Sequence, residues 1–183
     1  TSAAIAALTS DQVPGLTSDQ ISQLTTAQLR AMTTDNMARI ETADLVTMTS
    51  VQLRSLSSAQ LGALTTDQMP AIVSSQLQAL TSGQMATLTT ANLNALTSDQ
   101  FAFLTSVQVR ALSSNEIANL ETADLAALGT AQIQVLTTSS VGALNSTTIV
   151  ALGSDQVAAL TSLQVRALNT DALPYLETSD LQA

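Results

Sequence analysis

An all-α solenoid of eight-residue units is the fold the sequence predicts. Three observations carry that prediction: an unbroken apolar period of eight, a helix-start signal in each unit, and charges sorted along the unit by sign. Each residue is numbered by its phase, with Leu8 at phase 0. That phase runs through Leu16, Leu24, Met32, Ile40, Met48 and Leu56 to Leu176, and every member is apolar. Phase 5 behaves alike, from Ile5 and Val13 through Phe101 to Leu181. The 183 residues hold about 23 octads (183/8 is about 22.9) with no insertion or deletion. Their consensus is LTSDQVAA, with Thr favoured at phase 1, Ser or Thr always at phase 2, Gln favoured at phase 4 and Ala at phase 7.

The period excludes a continuous helix, because eight residues at 100° each rotate the apolar positions by about 80° per unit and smear them round the axis. It excludes a continuous strand too, since phases 0 and 5 have opposite parity and would face opposite sides of a sheet. The chain must therefore change direction once per octad.

Within LTSDQV, Thr at phase 1 stands at the N-cap and Gln at phase 4 at its reciprocal partner. This is a capping box, with phases 0 and 5 as the hydrophobic staple around it. Where phase 1 departs from Thr it is mostly Ser57, Ser113, Asn145, Asn169, Gly129 or Gly153, all accepted caps; Val73 and three Glu are the exceptions. All fourteen acidic residues lie at phases 1, 3 or 4, whereas Arg30, Arg54, Arg110 and Arg166 lie at phase 6 and Arg39 at phase 7. Acid in the first turn and base in the last is what a helix dipole favours.

Pro14, Pro70 and Pro174 occupy phase 6, where a helix capped at phase 1 wants an amide donor, so the helices must be one to two turns long and partly 3₁₀. The capping box leaves the Ser or Thr at phase 2 unexplained; it serves either as an alternative cap or as a hydrogen-bonding group to the next octad. A β-solenoid is the competing fold, given the Thr content and the Val and Ile at phase 5. The abundant Leu, Met, Ala and Gln favour helix.

Composition narrows function more by exclusion than by motif. The chain has no Cys, His, Trp or Lys, one Tyr, two Phe and 10% charged residues, against roughly 25% in ordinary globular domains. Without Cys or His there are no disulfides, no thiolate or imidazole metal ligands and no histidine general base, so no catalytic, cofactor or metal site is expected. Asp at phase 3 invites a calcium reading, but neither the Gly-rich calcium repeat nor the EF-hand loop is present, and helix N-terminal acids account for these residues. Met32, Met37, Met48, Met69 and Met85 all fall on phases 0 and 5, as core fillers. A net charge of −9 disfavours nucleic acid and anionic membrane as partners. Apolar runs broken every few residues leave no segment of the roughly 20 residues needed to span a bilayer.

Longer similarities overlie the octads. TTAQLRAMTTDNMARIETADL from Thr25 recurs as TSVQVRALSSNEIANLETADL from Thr105 and TSLQVRALNTDALPYLETSDL from Thr161, at offsets of ten and seven octads. The same block thus sits in both odd and even octads, so a single octad is the repeating unit of a regular superhelix, with phases 0 and 5 inward. The LTTDQ and LTSDQ octads resemble the low-complexity octapeptide arrays of very large secreted or surface proteins of Gram-negative bacteria. That resemblance covers the whole chain and implies an exported structural role.

Residues 1–183 are accordingly expected to form one uninterrupted array, part of a longer array or a filament subunit. The expected function is an extracellular or cell-surface stalk, spacer or filament rather than an enzyme, with self-association head to tail. A protein-binding or adhesive solenoid is the alternative. Each phase 1 Glu follows an Arg by eleven residues, Arg30 and Glu41, Arg110 and Glu121, Arg166 and Glu177, which marks either an inter-octad salt bridge or a spacing that three copies of one duplicated block share by descent.

Overall fold

The computed structural model describes residues 1–176, and among these every regular element is helical. Nineteen α-helices of four to six residues and three 3₁₀ turns follow one another from Ser2–Ala6 to Leu173–Tyr175, with no strand among the described residues. The fold is an all-α repeat solenoid, and the β alternative is set aside.

One octad shows why the sequence folds this way. Thr49 is extended (φ −70°, ψ 156°) and its Oγ1 accepts from the Gln52 amide at 3.2 Å, while Gln52 Oε1 accepts from Thr49 N–H at 2.6 Å. The reciprocal box thus satisfies two of the orphan amides at the start of helix Ser50–Ser55. The helix ends when Leu56 N–H closes onto the Leu53 carbonyl at 3.2 Å and Leu56 itself swings extended (φ −60°, ψ 144°). Phases 0 and 1 are therefore a two-residue extended corner between short helices. No described residue has positive φ, so the corners need no glycine, and the octad can place bulky Leu at phase 0.

The three proline octads depart as the missing amide requires. Val13–Gly15, Met69–Ala71 and Leu173–Tyr175 are 3₁₀ turns with Pro in the first turn. A proline at phase 6 cannot donate to the phase 2 carbonyl, and i to i+3 bonding replaces the α pattern.

The core consists of the two predicted phases. Ile21, Leu29, Met37, Leu45, Phe101 and Ile133 of phase 5 are fully buried, as are Met32, Leu56, Leu112 and Leu128 of phase 0 to within a few per cent. Each such side chain contributes about 1.5–3 kcal/mol on burial. Phase 4 lies inside as well, which the capping box alone did not foretell.

The chain divides into two compact units, Thr1–Leu96 and Thr97–Ala183. In the first, helix Thr26–Ala31 packs on Ser50–Ser55, and that helix on Ser74–Ala79. In the second, Ser98–Phe103 packs on Thr122–Ala127, and Ser114–Ala118 on Thr138–Gly142, which packs in turn on Ser162–Ala167. The partners are three octads apart in every case. Side-chain bonds between turns span 25 residues (Ser50 to Ser75), 26 (Ser98 to Asp124), 27 (Asn145 to Ala118), 28 (Asn36 to Leu8) and 31 (Gln60 to Leu29). These offsets centre on about 28 residues, so within each unit one turn of the coil takes about three and a half octads.

Candidate functional site

The distinctive chemistry of the chain is the buried side chain at phase 4. Its position is set from both sides: the helix start fixes its Cα at the third helical residue, and the apolar phase 5 neighbour pulls that face of the helix inward. Gln60 Oε1 accepts from Ser57 N–H at 3.0 Å, and its Nε2 donates to the carbonyls of Leu29 at 2.8 Å and Met32 at 2.9 Å in the turn before. Gln68 repeats this with Met37 and Ile40, and Gln76 with Leu45 and Met48. In the second unit Gln132 reaches Phe101 and Leu104, Gln156 reaches Leu125 and Leu128, and Gln164 reaches Ile133 and Leu136.

The two carbonyls reached belong to phases 5 and 0: the phase 5 carbonyl also accepts the phase 0 amide that closes its helix, as Leu29 O does from Met32 N–H at 3.1 Å, whereas the phase 0 carbonyl follows the last turn and takes the carboxamide instead. One neutral carboxamide thereby caps its own helix and ties down the end of a helix one turn back. An unsatisfied buried polar group costs about 1–3 kcal/mol, so each rung of this ladder removes several such penalties at once. Asn makes a shorter rung: Asn36 Nδ2 lies 3.0 Å from the Leu8 carbonyl and Asn92 Nδ2 2.7 Å from that of Leu64.

Thirteen octads carry Gln at phase 4 and only one carries Glu, Glu116, in a chain rich in acid elsewhere. A capping box accepts either residue. That bias was the available signal for a buried donor, and reading phase 4 as a cap alone passed over it.

Three described rungs are acidic, Asp44, Glu116 and Asp124. Asp44 and Asp124 are buried, and each has an Oδ1 that accepts a hydroxyl from a phase 2 serine one turn earlier, Ser18 and Ser98, the latter at 2.9 Å. Oδ2 of Asp124 is enclosed without a hydrogen-bond partner. Burial raises the Asp124 pKa above its ordinary value, Ser98 opposes that shift, and the charge of Glu121 adds to it. The phase 2 hydroxyl thus has a role, since Ser50 Oγ likewise donates to Ser75 O at 2.9 Å. In Ser18, Ser50 and Ser98 it bonds across to the neighbouring turn rather than to the next octad.

Of the arginines and glutamates expected to pair, all but Glu177 lie among the described residues. Arg30, Arg110 and Arg166 sit in the last turns of their helices, as the dipole argument requires. Arg30 Nε donates to the Ser55 carbonyl at 2.7 Å, 25 residues on. Glu41 and Glu121 are exposed N-caps whose side chains make no capping bond. Neither Arg30 with Glu41 nor Arg110 with Glu121 forms an ion pair within 4 Å among the described residues, and Glu177 lies outside them. Eleven residues are about two-fifths of a 28-residue turn, which carries Glu41 and Glu121 well round the coil from Arg30 and Arg110. Among the described residues no group of three His, Cys, Asp or Glu side chains is placed to hold a metal, and no helix is long and apolar enough to cross a membrane.

No curated protein matches the chain. A family model described as the ALTTAQ repeat matches residues 1–26, 37–74, 77–114, 117–153 and 141–170. Four of these matches begin at phase 5, so the family register and the octad register agree. The letters of the repeat name read as phases 7, 0, 1, 2, 3 and 4 of the octad: the corner, the cap and the buried glutamine. With these matches covering most of its length, the chain belongs to the ALTTAQ repeat family.

Proposed function

We propose that the chain is a mechanical element, a stalk, spacer or filament segment on or outside the cell, whose function lies in its length and regularity rather than in catalysis. The observation that supports this most is the carboxamide ladder. Each turn offers phase 4 amides on one face and phase 5 and phase 0 carbonyls on the other, as Gln60 and Met32 do, so the bond that joins one turn to the next can join any number of turns. In such a one-dimensional array, length is set by octad count and stability by nearest-neighbour contacts. Head-to-tail joining of copies uses the same rungs. An exported location rests on the resemblance to secreted and surface octapeptide arrays.

Small-angle X-ray scattering on arrays lengthened or shortened by seven octads, the offset at which the longer block recurs, tests this reading. A constant cross-section with a maximum dimension that grows linearly with octad number is the expected result. Growth as the cube root of mass, as for a globule, overturns it.

A further inference from the structure

Resting on that mechanical reading, we propose that the arginine-bearing helices of the second unit form a lateral docking face for a second copy of this chain, with Arg110 of one copy meeting Glu121 of its neighbour. The first observation is at phase 3, the outermost position of the helix. In the second unit it holds small or polar residues except for Val107 and Leu163, which are 66% and 67% exposed. Both lie three residues before an exposed arginine, Arg110 and Arg166, on the same helical face. The first unit repeats the motif once, with Val51 at 69% exposure ahead of Arg54. Large apolar side chains at phase 3 occur only where an arginine follows at phase 6.

The second observation is their spacing. Val107 and Leu163 stand seven octads apart, as do Arg110 and Arg166, and seven octads are two turns of the coil. The two motifs therefore fall on one side of the unit. A groove of about 380 Å³ runs from Arg110 past half-buried Val135, one turn on, to Leu163 two turns on. Apolar contact area flanked by guanidinium groups is the composition of an interface core rather than of a solvated face.

The third observation selects the occupant. The chain carries −9, with five arginines and fourteen acids, so an arginine face is complementary to the rest of its own surface. Glu121 is exposed, makes no capping bond, and lies about two-fifths of a turn from Arg110, out of reach of its own arginine but open to another molecule. Because Arg110 and Glu121 lie on different sides of the coil, the contact is heterologous and leaves a face free on each copy for the next.

Sedimentation velocity on the 18.9 kDa chain tests this with Arg110→Glu, Glu121→Arg and their equimolar mixture. Wild type is expected to show a mass above the monomer that rises with concentration and falls with added salt. Each variant alone should associate about tenfold more weakly, and the mixture should recover to within about threefold of wild type. A monomeric wild type, or a mixture no better than its components, overturns the proposal. Association unaffected by Arg110→Glu is end-to-end joining, which removes this face while leaving the mechanical reading intact. A globular scattering profile removes the mechanical reading whatever the sedimentation shows.

Discussion

Gln76 Nε2 lies 2.6 Å from the Met48 carbonyl, 28 residues back, while Oε1 of the same side chain accepts from Val73 N–H at 2.9 Å. A single carboxamide thus spans two turns of the coil, and its two ends do different work. Replacing Gln76 by Glu keeps the acceptor for Val73 but turns a carboxylate oxygen toward the carbonyls of Leu45, Val46 and Met48. The expected loss is about 1–3 kcal/mol at pH 7, measured by urea unfolding. A glutamate buried in this way has its folded-state pKa raised, so the charged form opposes folding. The loss should shrink as pH falls through that pKa, where the protonated acid can donate in place of the amide. Equal stability of Q76E and wild type at pH 7 contradicts the ladder.

Val73 supplies the opposite experiment. It is the one β-branched apolar N-cap among the described helices, and the helix Ser74–Ala79 that follows it has only the Gln76 half of a capping box. Val73 is 41% exposed, so its side chain is not a core group. Val73→Thr should restore the second half and stabilise the chain by about 0.5–1 kcal/mol. A decrease in Tm means that the valine packs in a way its exposure does not suggest.

Much of this architecture was legible in the octad. Phase 0 from Met32 to Leu168 and phase 5 from Val13 to Ile149 are the core. Thr17 and Thr49 cap their helices with Gln20 and Gln52 in reciprocal boxes, and Pro14 and Pro70 mark 3₁₀ turns. The turn of about three and a half octads was not legible, because a period of eight fixes the unit but not how many units close a circle. Nothing in Gln60 itself says that its amide reaches Leu29 rather than water. The spacing from Arg30 to Glu41 was open for the same reason: without the turn length, eleven residues have no direction in space.

Asp124 gives the coil a dependence on pH. Burial raises its pKa above the ordinary value of 3.8, with Glu121 adding to the shift and Ser98 opposing it. Of the elements packed on its helix, Ser98–Phe103 contributes Asp99 and Ser146–Ile149 carries no titratable side chain. A raised carboxyl pKa means that the folded state favours the protonated form. This group's stabilising contribution is fully present below 3.8 and is lost as pH rises through the folded-state pKa. Asp124→Asn, isosteric and neutral, should raise stability at pH 7 by on the order of 1 kcal/mol. The difference between the two proteins should vanish below pH 3.8. Parallel pH profiles for wild type and D124N rule out this role for the carboxylate.

Two glycines at the same phase test how closely successive turns approach. A Cβ placed on Gly142 comes 2.8 Å from the carbonyl oxygen of Ala167, the last residue of helix Ser162–Ala167 in the next turn, whereas one on Gly62 stops 3.5 Å from that of Thr87. Both glycines end short helices of the same length, Thr138–Gly142 and Ser58–Gly62, so helix length is no part of the difference. Ala is the better helix former by up to about 1 kcal/mol, so Gly62→Ala should be neutral or stabilising. Gly142→Ala adds the same propensity but sets a methyl group against backbone that cannot rotate aside, and overpacking of this kind costs about 1–3 kcal/mol. Thermal unfolding of the two variants should therefore move in opposite directions, with G142A lower in Tm than wild type and G62A at or above it. A G142A protein as stable as G62A shows that the turns can separate by a few tenths of an ångström without loss, and that their spacing is set by the glutamine ladder rather than by contact at the helix ends.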